Sequence, residues 1–172
     1  MIVRALTETD AQVFRDMRLR ALREEPAAFT TSCEEFSQRP LDRIAARFRN
    51  DPTDEFMLGA FDGEQLVGMV GFYRERAMKQ RHRGNVISMY VAPEARGQGA
   101  GQALLLEVIR RAQTIVGLEQ LLLGVMVTQT AARKLYEALG FVVFGREPRV
   151  VKIGEHYYDA ELMVLDLRED KQ

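Results

Sequence analysis

The sequence NVISMYVAPEARGQGAGQALLLEVIRR, residues 85–111, contains the pattern of a strand, a glycine-rich turn and an amphipathic helix in that order. Most of residues 86–91 are β-branched or aromatic, which favours a strand, and Pro93 ends the pairing because proline has no N–H to donate. The turn is RGQGAG, residues 96–101. Its glycines allow a ligand to approach the backbone, and the helix after it offers unpaired N–H groups at its positive end. This stretch therefore predicts a binding site for a phosphate-bearing ligand.

The spacing of the glycines limits which phosphate ligand fits. The dinucleotide pattern G-x-G-x-x-G ends on Gln102 when it starts at Gly97, and on Leu104 when it starts at Gly99. The G-x-x-x-x-G-K-[ST] loop is also missing, because the sequence contains no Gly-Lys-Ser/Thr. Dinucleotides, ATP and GTP are therefore disfavoured.

A second motif follows the first. Residues 121–127, LLLGVMV, form a short apolar run that is typical of a buried strand. The next segment, AARKLYEALGF, predicts a helix with one apolar stripe, which consists of Ala132, Leu135, Tyr136 and Leu139. Gly140 supplies the expected end of that helix.

The two motifs together resemble those of the GNAT superfamily of acetyl-CoA-dependent N-acetyltransferases. The turn matches Q/R-x-x-G-x-G/A through Arg96, Gly99 and Gly101. The phrase A-x-x-L-Y-x-x-x-G-F is similar to the segment that carries the family's tyrosine beside the cofactor sulfur. The resemblance is specific over residues 86–141 and only topological outside them.

The remaining segments predict elements that agree with this resemblance. We predict a strand at 2–6, a helix that ends at Pro26, a second helix at 40–51, and a hairpin of strands 55–61 and 65–76 around the Asp62-Gly63 turn. Residues 27–36 show no period. With final strands near 141–146 and 157–167, the order is β-α-α-β-β-β-α-β-α-β-β. The resemblance implies an α/β fold with a mixed sheet, that of the acyl-CoA N-acyltransferases, in which the fourth and fifth strands splay apart.

The resemblance also implies acetyl-CoA as co-substrate, bound in the cleft between the splayed strands. Pantetheine would bond the backbone of Met89, Tyr90 and Val91, and the diphosphate would rest on the turn that consists of Arg96, Gly97, Gln98, Gly99, Ala100 and Gly101. Gln129 stands where relatives often have an asparagine that contacts pantetheine. Arg133 is a candidate for the phosphates, although a solvated helix face explains it equally well.

The reaction implied is direct acetyl transfer to a primary amine, with Tyr136 as the acid that protonates the leaving thiolate. The alternative for Tyr136 is a core tyrosine without a chemical role. Relatives often place a glutamate where this chain has Asn85, so the usual base is missing. Glu34, Glu35 and Glu75 are the remaining acidic candidates beside the acceptor, and we expect the acceptor to be cationic.

Bulk properties limit the other classes of function. The chain has 172 residues, a formal net charge of −1, one cysteine and two histidines. These values predict a single domain over residues 1–167 with a loosely held tail at 168–172, and no metal site. The balanced charge disfavours nucleic acid, and the absence of a long apolar run predicts no membrane span and a cytoplasmic protein.

Two functions remain open. The first is an N-acetyltransferase acting on a small-molecule amine or a protein amino group. The second is a non-catalytic acetyl-CoA sensor or structural subunit with the same fold, which the missing base leaves open. The sequence leaves the acceptor unidentified, and a homodimer is compatible with it.

Overall fold

Seven strands and five α-helices succeed one another along residues 1–168, the part of the chain that the computed structural model describes. The strands are β1 (Ile2–Ala5), β2 (Glu55–Asp62), β3 (Gln65–Arg74), β4 (Arg83–Val91), β5 (Gln120–Met126), β6 (Val142–Ile153) and β7 (His156–Asp166). The helices are α1 (Ala11–Glu24), α2 (Cys33–Ser37), α3 (Leu41–Arg47), α4 (Ala100–Thr114) and α5 (Thr130–Ala138).

All seven strands form one mixed sheet in the order β1-β2-β3-β4-β5-β7-β6. Strands β4 and β5 run parallel, and the other neighbouring strands run antiparallel. The predicted α/β class with a mixed sheet is therefore confirmed. The predicted hairpin turn is also present, since Gly63 has φ +58° between β2 and β3.

Helix α2 departs from the predicted element order, which left residues 27–36 without structure. Ser32 starts this helix through a capping box: its hydroxyl accepts the N–H of Glu35 at 3.1 Å, and the Glu35 carboxylate accepts the N–H of Ser32 at 3.0 Å. The helix has only 5 residues, too few for a helical period to show in the sequence. Three helices, not two, therefore separate β1 from β2.

Strand β6 is longer than predicted. The sequence predicted a strand near residues 141–146, and Pro148 follows that range. In the structure the strand continues to Ile153, with register shifts after Val143 and after Glu147. Bulges on an edge strand accommodate a proline, which cannot donate to a ladder.

The sheet buries a core on each face. Helix α4 covers one face and contributes Leu104, Leu105 and Val108, all fully buried. Helix α1 covers the other face with Phe14 and Leu22. These layers hold the sheet rigidly between helices, so the ends of its strands can position a site.

Strands β4 and β5 part after a short pairing. Arg83, Gly84 and Asn85 pair with residues 120–122, and no further pairs join these strands in the described part of the chain. Just beyond, β4 carries a bulge: Ser88 and Met89 together face a single residue of β3, and Ser88 has φ +56°. Because a bulge bends and twists its strand, it turns β4 away from β5. The predicted splay is present.

Candidate active site

The splay opens a small cleft between β4 and β5. We call it the cleft; it has a volume of about 90 Å³ and is lined by Ser88 and Met89 of β4, by Gly124 of β5, and by Gln129, Ala132 and Tyr136. The two sequence motifs therefore meet here, since β4 belongs to the first and Tyr136 to the second.

A larger groove continues from the cleft along the glycine-rich turn. It has a volume of about 420 Å³ and shares Met89, Gln129 and Ala132 with the cleft. Its other lining residues include most of the residues predicted to bind the cofactor: Tyr90, Val91, Arg96, Gly97, Gly99, Ala100 and Gly101. An elongated ligand lying in the groove would thus reach the cleft with one end.

The three glycines of the turn have different roles. Gly97 and Gly99 have φ +73° and φ +85°, and an added Cβ would meet nothing within 4 Å at either position. They are needed for the backbone conformation and leave an open surface. At Gly101 an added Cβ would lie 3.1 Å from Leu135 Cδ2, so this glycine permits α4 to pack against α5.

Helix α4 directs its positive end at the groove. It runs for 15 residues from Ala100, with Gly99 as its N-cap residue. The first N–H groups of a helix have no intrahelical partner, and they carry the positive end of the helix dipole. The groove is therefore suited to an anion such as a diphosphate.

Arg96 borders the groove and is held by a carboxylate. Its guanidinium forms an ion pair with Glu25, and its Nε donates to the carbonyl of Val91 at 2.9 Å. The Arg96 side chain is 48% exposed. A phosphate entering the groove would compete with Glu25 for this cation.

Tyr136 combines a buried ring with access to the cleft. The residue is 6% exposed, and its ring packs edge-on against Phe141 with centroids 5.9 Å apart. Burial raises the pKa of its hydroxyl above the ordinary value of a tyrosine. No described residue forms a hydrogen bond with this hydroxyl. Tyr136 therefore stands at the cleft in its protonated form.

Tyr90 faces away from the groove with its side chain. The hydroxyl donates to Glu24 of α1, and burial, with that hydrogen bond, raises its pKa. The ring belongs to the core cluster under α1. The hydroxyl of Tyr90 is thus engaged by Glu24, and the contact of its backbone with pantetheine stays a prediction.

Gln98 and Arg133 do not line the groove. Gln98 Nε2 donates to the carbonyl of Glu94 at 2.9 Å. Arg133 Nε lies 3.1 Å from Glu137 and 3.0 Å from Glu161. Arg133 is therefore engaged by Glu137 of its own helix and by Glu161 of β7, and its side chain is 42% exposed, which favours the alternative given above, a solvated helix face.

Glu34 and Glu35 also lie outside the cleft and the groove. Both are on α2, where Glu35 closes the capping box with Ser32. The hydrogen bond from the backbone of Ser32 is the main cause that lowers the pKa of Glu35. Its role in the structure is that of a helix cap, and its place beside the acceptor stays a prediction.

Glu75 is hydrogen-bonded to the residue that replaces the usual base. Asn85 Nδ2 donates to Glu75 Oε1 at 2.9 Å. Glu75 lines a separate pocket of about 670 Å³ together with Tyr73 and Ile87. Ile87 also lines the cleft, so Glu75 is a neighbour of the cleft but not part of its wall.

Sequence reasoning missed Glu25. This residue lies at the end of α1 and lines both the cleft and the groove. Among the described residues that line the cleft, it is the one that carries a carboxylate. In the sequence it precedes Pro26 at a helix end, which is sufficient to explain a glutamate there. Only the packing of α1 beside β4 reveals its position.

Two negative findings concern the described residues only. No group of three or more His, Cys, Asp or Glu side chains within residues 1–168 is arranged to hold a metal ion. None of the helices in that range has the length and apolar character needed to cross a membrane.

Comparison with known sequences agrees with the geometry. The chain is similar to a mycothiol acetyltransferase from Streptomyces scabiei, with 36% identity over 108 residues that make up 63% of this chain and 33% of that protein. It is also similar to an N-alpha-acetyltransferase from Sulfurisphaera tokodaii, with 34% identity over 123 residues, 65% of this chain and 69% of that protein. The match thus spans only about a third of the mycothiol acetyltransferase, 33% of its length.

Solved structures share the fold. The acetyltransferase of GNAT family from Streptococcus pneumoniae has a TM-score of 0.80 at 24% identity, over 96% of this chain and 98% of that chain. The protein yncA from Salmonella typhimurium, solved with its cofactor acetyl-CoA, has a TM-score of 0.85 at 22% identity, over 100% of this chain and 96% of that chain. A model of the family described as "Acetyltransferase (GNAT) family" matches residues 18–141, so the chain belongs to this family, as its two motifs predicted.

Proposed function

We propose that the protein is an N-acetyltransferase that moves the acetyl group of acetyl-CoA directly to a primary amine of a small molecule or a protein. The observation that carries this proposal is the parting of β4 and β5 beside the start of α4. That arrangement joins an anion-binding groove to a cleft that contains a protonated tyrosine. Residues 1–167 would act as one domain in the cytoplasm.

In this proposal the groove holds acetyl-CoA. The diphosphate lies on Gly97, Gly99 and the first N–H groups of α4, and Arg96 exchanges Glu25 for a phosphate oxygen. Pantetheine adds to the free edge of β4 at Met89 and Val91 as an extra strand would. The thioester then reaches the cleft beside Tyr136.

The chemistry has three proton transfers, two from the amine nitrogen and one to the thiolate, and one developing negative charge. The amine attacks the thioester carbonyl, and a tetrahedral oxyanion forms. An N–H freed by the bulge at Ser88 and Met89 stabilises this oxyanion. Collapse of the intermediate expels the CoA thiolate, which takes its proton from Tyr136, and the attacking nitrogen gives up its second proton, which restores the Tyr136 hydroxyl directly or through water. No covalent acetyl-enzyme is needed.

The amine must lose a proton before it attacks. We propose Glu25 as the base, directly or through one water, because it supplies the carboxylate of the cleft wall. Its ion pair with Arg96 prevents this role until Arg96 binds the cofactor's phosphates instead of Glu25. Glu75 is the second candidate, since it lies next to the cleft and holds Asn85.

The rival function is an acetyl-CoA sensor without turnover. Asn85, which cannot accept a proton as a carboxylate does, is the observation that favours it. Release of free CoA thiol from acetyl-CoA across a panel of amines separates the two. An enzyme releases thiol in proportion to an amine, whereas a sensor binds acetyl-CoA and releases none.

We further propose a homodimer through the outer edge of the sheet. Strand β6 is the last strand on that side and exposes Val142 (60%) and Phe144 (54%). Exposed apolar side chains on an edge strand favour pairing with a second copy. Light scattering on the wild type and on Phe144→Ser measures the mass, and a wild-type monomer would rule the homodimer out.

A further inference from the structure

An unpartnered arginine is buried beside the cleft. Arg18 of α1 is 8% exposed, and its Nη1 is fully buried without a hydrogen-bond partner. Its guanidinium lies 4.5 Å from the centroid of the Phe29 ring, and no described residue forms an ion pair or hydrogen bond with it. A buried, unpaired cation is costly, so its presence at a cavity points to a missing anion.

The cavity that contains Arg18 adjoins the cleft. We call it the arginine pocket; it has a volume of about 460 Å³ and shares Phe29, Ser88 and Gly124 with the cleft. A volume of this size suits a small molecule. Since the groove takes the cofactor, we assign the acceptor to the arginine pocket, because it has more of its wall in common with the cleft than the pocket of about 670 Å³, which shares Ile87 alone with it.

The charges around the arginine pocket are mainly positive. Arg39 and Arg47 line it with Arg18, and Glu147 is the carboxylate in the wall. Arg47 is already paired with Glu55. Burial, with the charges of Arg39 and Arg47, lowers the pKa of Arg18 to about 10. An anion placed against Arg18 would remove this penalty, whereas a second cation would increase it.

We propose that Arg18 binds an oxyanion of the acceptor, a carboxylate or a phosphorus oxyacid, so that the substrate is a small amine carrying a negative group. This inference rests on the proposed acetyltransferase function and replaces the earlier expectation of a cationic acceptor. Arginine suits the task because its planar fork donates two parallel hydrogen bonds to such groups. A polyamine would instead bring a further cation against the unpaired charge of Arg18.

Matched acceptors test the proposal without any mutation. Glycine, β-alanine and γ-aminobutyrate are each compared with methylamine, ethylamine and propylamine, which lack only the carboxylate, and spermidine represents the cationic class. We expect at least one amino acid to exceed its amine by tenfold or more in kcat/KM. Equal values for every pair, or a preference for spermidine, would overturn the inference while leaving the acetyltransferase function intact.

Variants of Arg18 assign the preference to this side chain. Arg18→Met keeps an unbranched side chain and removes the charge, and it should raise KM for the preferred amino acid at least tenfold with kcat little changed. Arg23→Met, at an exposed position on the same helix, is the matched control and should change neither. Arg18→Lys keeps the charge without the planar fork, so its KM should lie between those of the other two variants. It replaces Arg18→Met as the test if that variant does not fold. An unchanged KM in both Arg18 variants would contradict the proposal.

A binding experiment decides the inference even if no amine is acetylated. Propionate, butyrate and propylphosphonate are added to the CoA-loaded protein, and the thermal midpoint is followed. The proposal predicts stabilisation of the wild type and of Arg23→Met, and its loss in Arg18→Met. If no acceptor releases thiol but the anions bind through Arg18, the proposed enzyme fails and the anion site stands. If thiol is released but no anion binds, the anion site fails alone.

Discussion

Replacing Gly99 by glutamate should weaken the binding of acetyl-CoA in the groove without unfolding the protein. Gly99→Glu adds a side chain and a negative charge at the N-cap of α4, where we place the diphosphate. At about 5 Å, one carboxylate repels one phosphate charge by about 1–3 kcal/mol for effective dielectric constants of about 80 to 20. A diphosphate doubles this to about 2–6 kcal/mol, so we expect Kd for acetyl-CoA to rise at least about 30-fold.

The same substitution also strains the backbone, and this effect needs a control. A side chain at φ +85° costs about 1–2 kcal/mol of folding stability, which lowers Tm by about 2–8 °C in a chain of this size. Gly63→Glu carries the same charge at φ +58° in the β2–β3 turn, equally open within 4 Å and outside the groove. It should lower Tm similarly and leave Kd unchanged.

Calorimetric titration of each variant with acetyl-CoA measures the effect. Gly99→Gln matches the glutamate in size without its charge, and we expect a rise in Kd of about tenfold or less, since repulsion is missing. If folded Gly99→Glu binds acetyl-CoA as the wild type does, the phosphate site lies elsewhere. Equal losses for glutamate and glutamine would show that volume, not charge, is responsible.

Three further predictions concern single side chains. Tyr136→Phe should lower kcat by about 100-fold or more, as for a lost general acid, with acetyl-CoA affinity within about twofold; an unchanged kcat would make Tyr136 structural. Glu25→Gln should lower kcat/KM for the amine about tenfold at pH 7 and flatten the acidic limb of its pH profile. If the profile of kcat/KM against pH is unchanged, Glu25 is not the base, and Glu75 or water is the remaining candidate. Asp10 accepts hydrogen bonds from Arg4 at 2.7 and 2.8 Å, which lower its pKa from 3.8 to about 2. Its contribution of about 2 kcal/mol to the free energy of unfolding is therefore present above pH 3.8 and lost as the pH falls towards 2. Asp10→Asn should remove this part of the acid sensitivity, as measured by urea titrations at several pH values. If the free energies of unfolding of the variant and the wild type fall in parallel with pH, the prediction is wrong.

The sequence predicted the fold well where local chemistry decides the structure. Pro93 ends β4, Gly97 and Gly99 have the positive φ that the turn requires, and Gly140 ends α5 with φ +94°. Each of these depends on one residue and its neighbours. The short helix α2 and the extension of β6 past Pro148 escaped prediction, because a five-residue helix has no visible period and a bulge has no sequence signal.

The cofactor groove was also largely predictable, whereas the acceptor side was not. The groove is built from two contiguous motifs, so the order of residues along the chain fixes most of its lining. Glu25 and Arg18 come from α1, whose sequence shows only a helix with charged positions. The roles we propose for them depend on how α1 packs across the sheet, and the ring of Phe29 and the bulge at Ser88 complete the pocket from other elements.

The most direct test of the account is acetyl transfer itself, followed at both ends of the reaction. Free CoA thiol is measured alongside the acetylated amine by mass spectrometry, for the wild type, Tyr136→Phe and Gly99→Glu. The account predicts one acetylated amine for each thiol released by the wild type, slow release by Tyr136→Phe at full acetyl-CoA occupancy, and release by Gly99→Glu only at much higher acetyl-CoA concentration. Tight binding of acetyl-CoA by the wild type with no acetylated product from any amine would contradict it, and would favour the sensor.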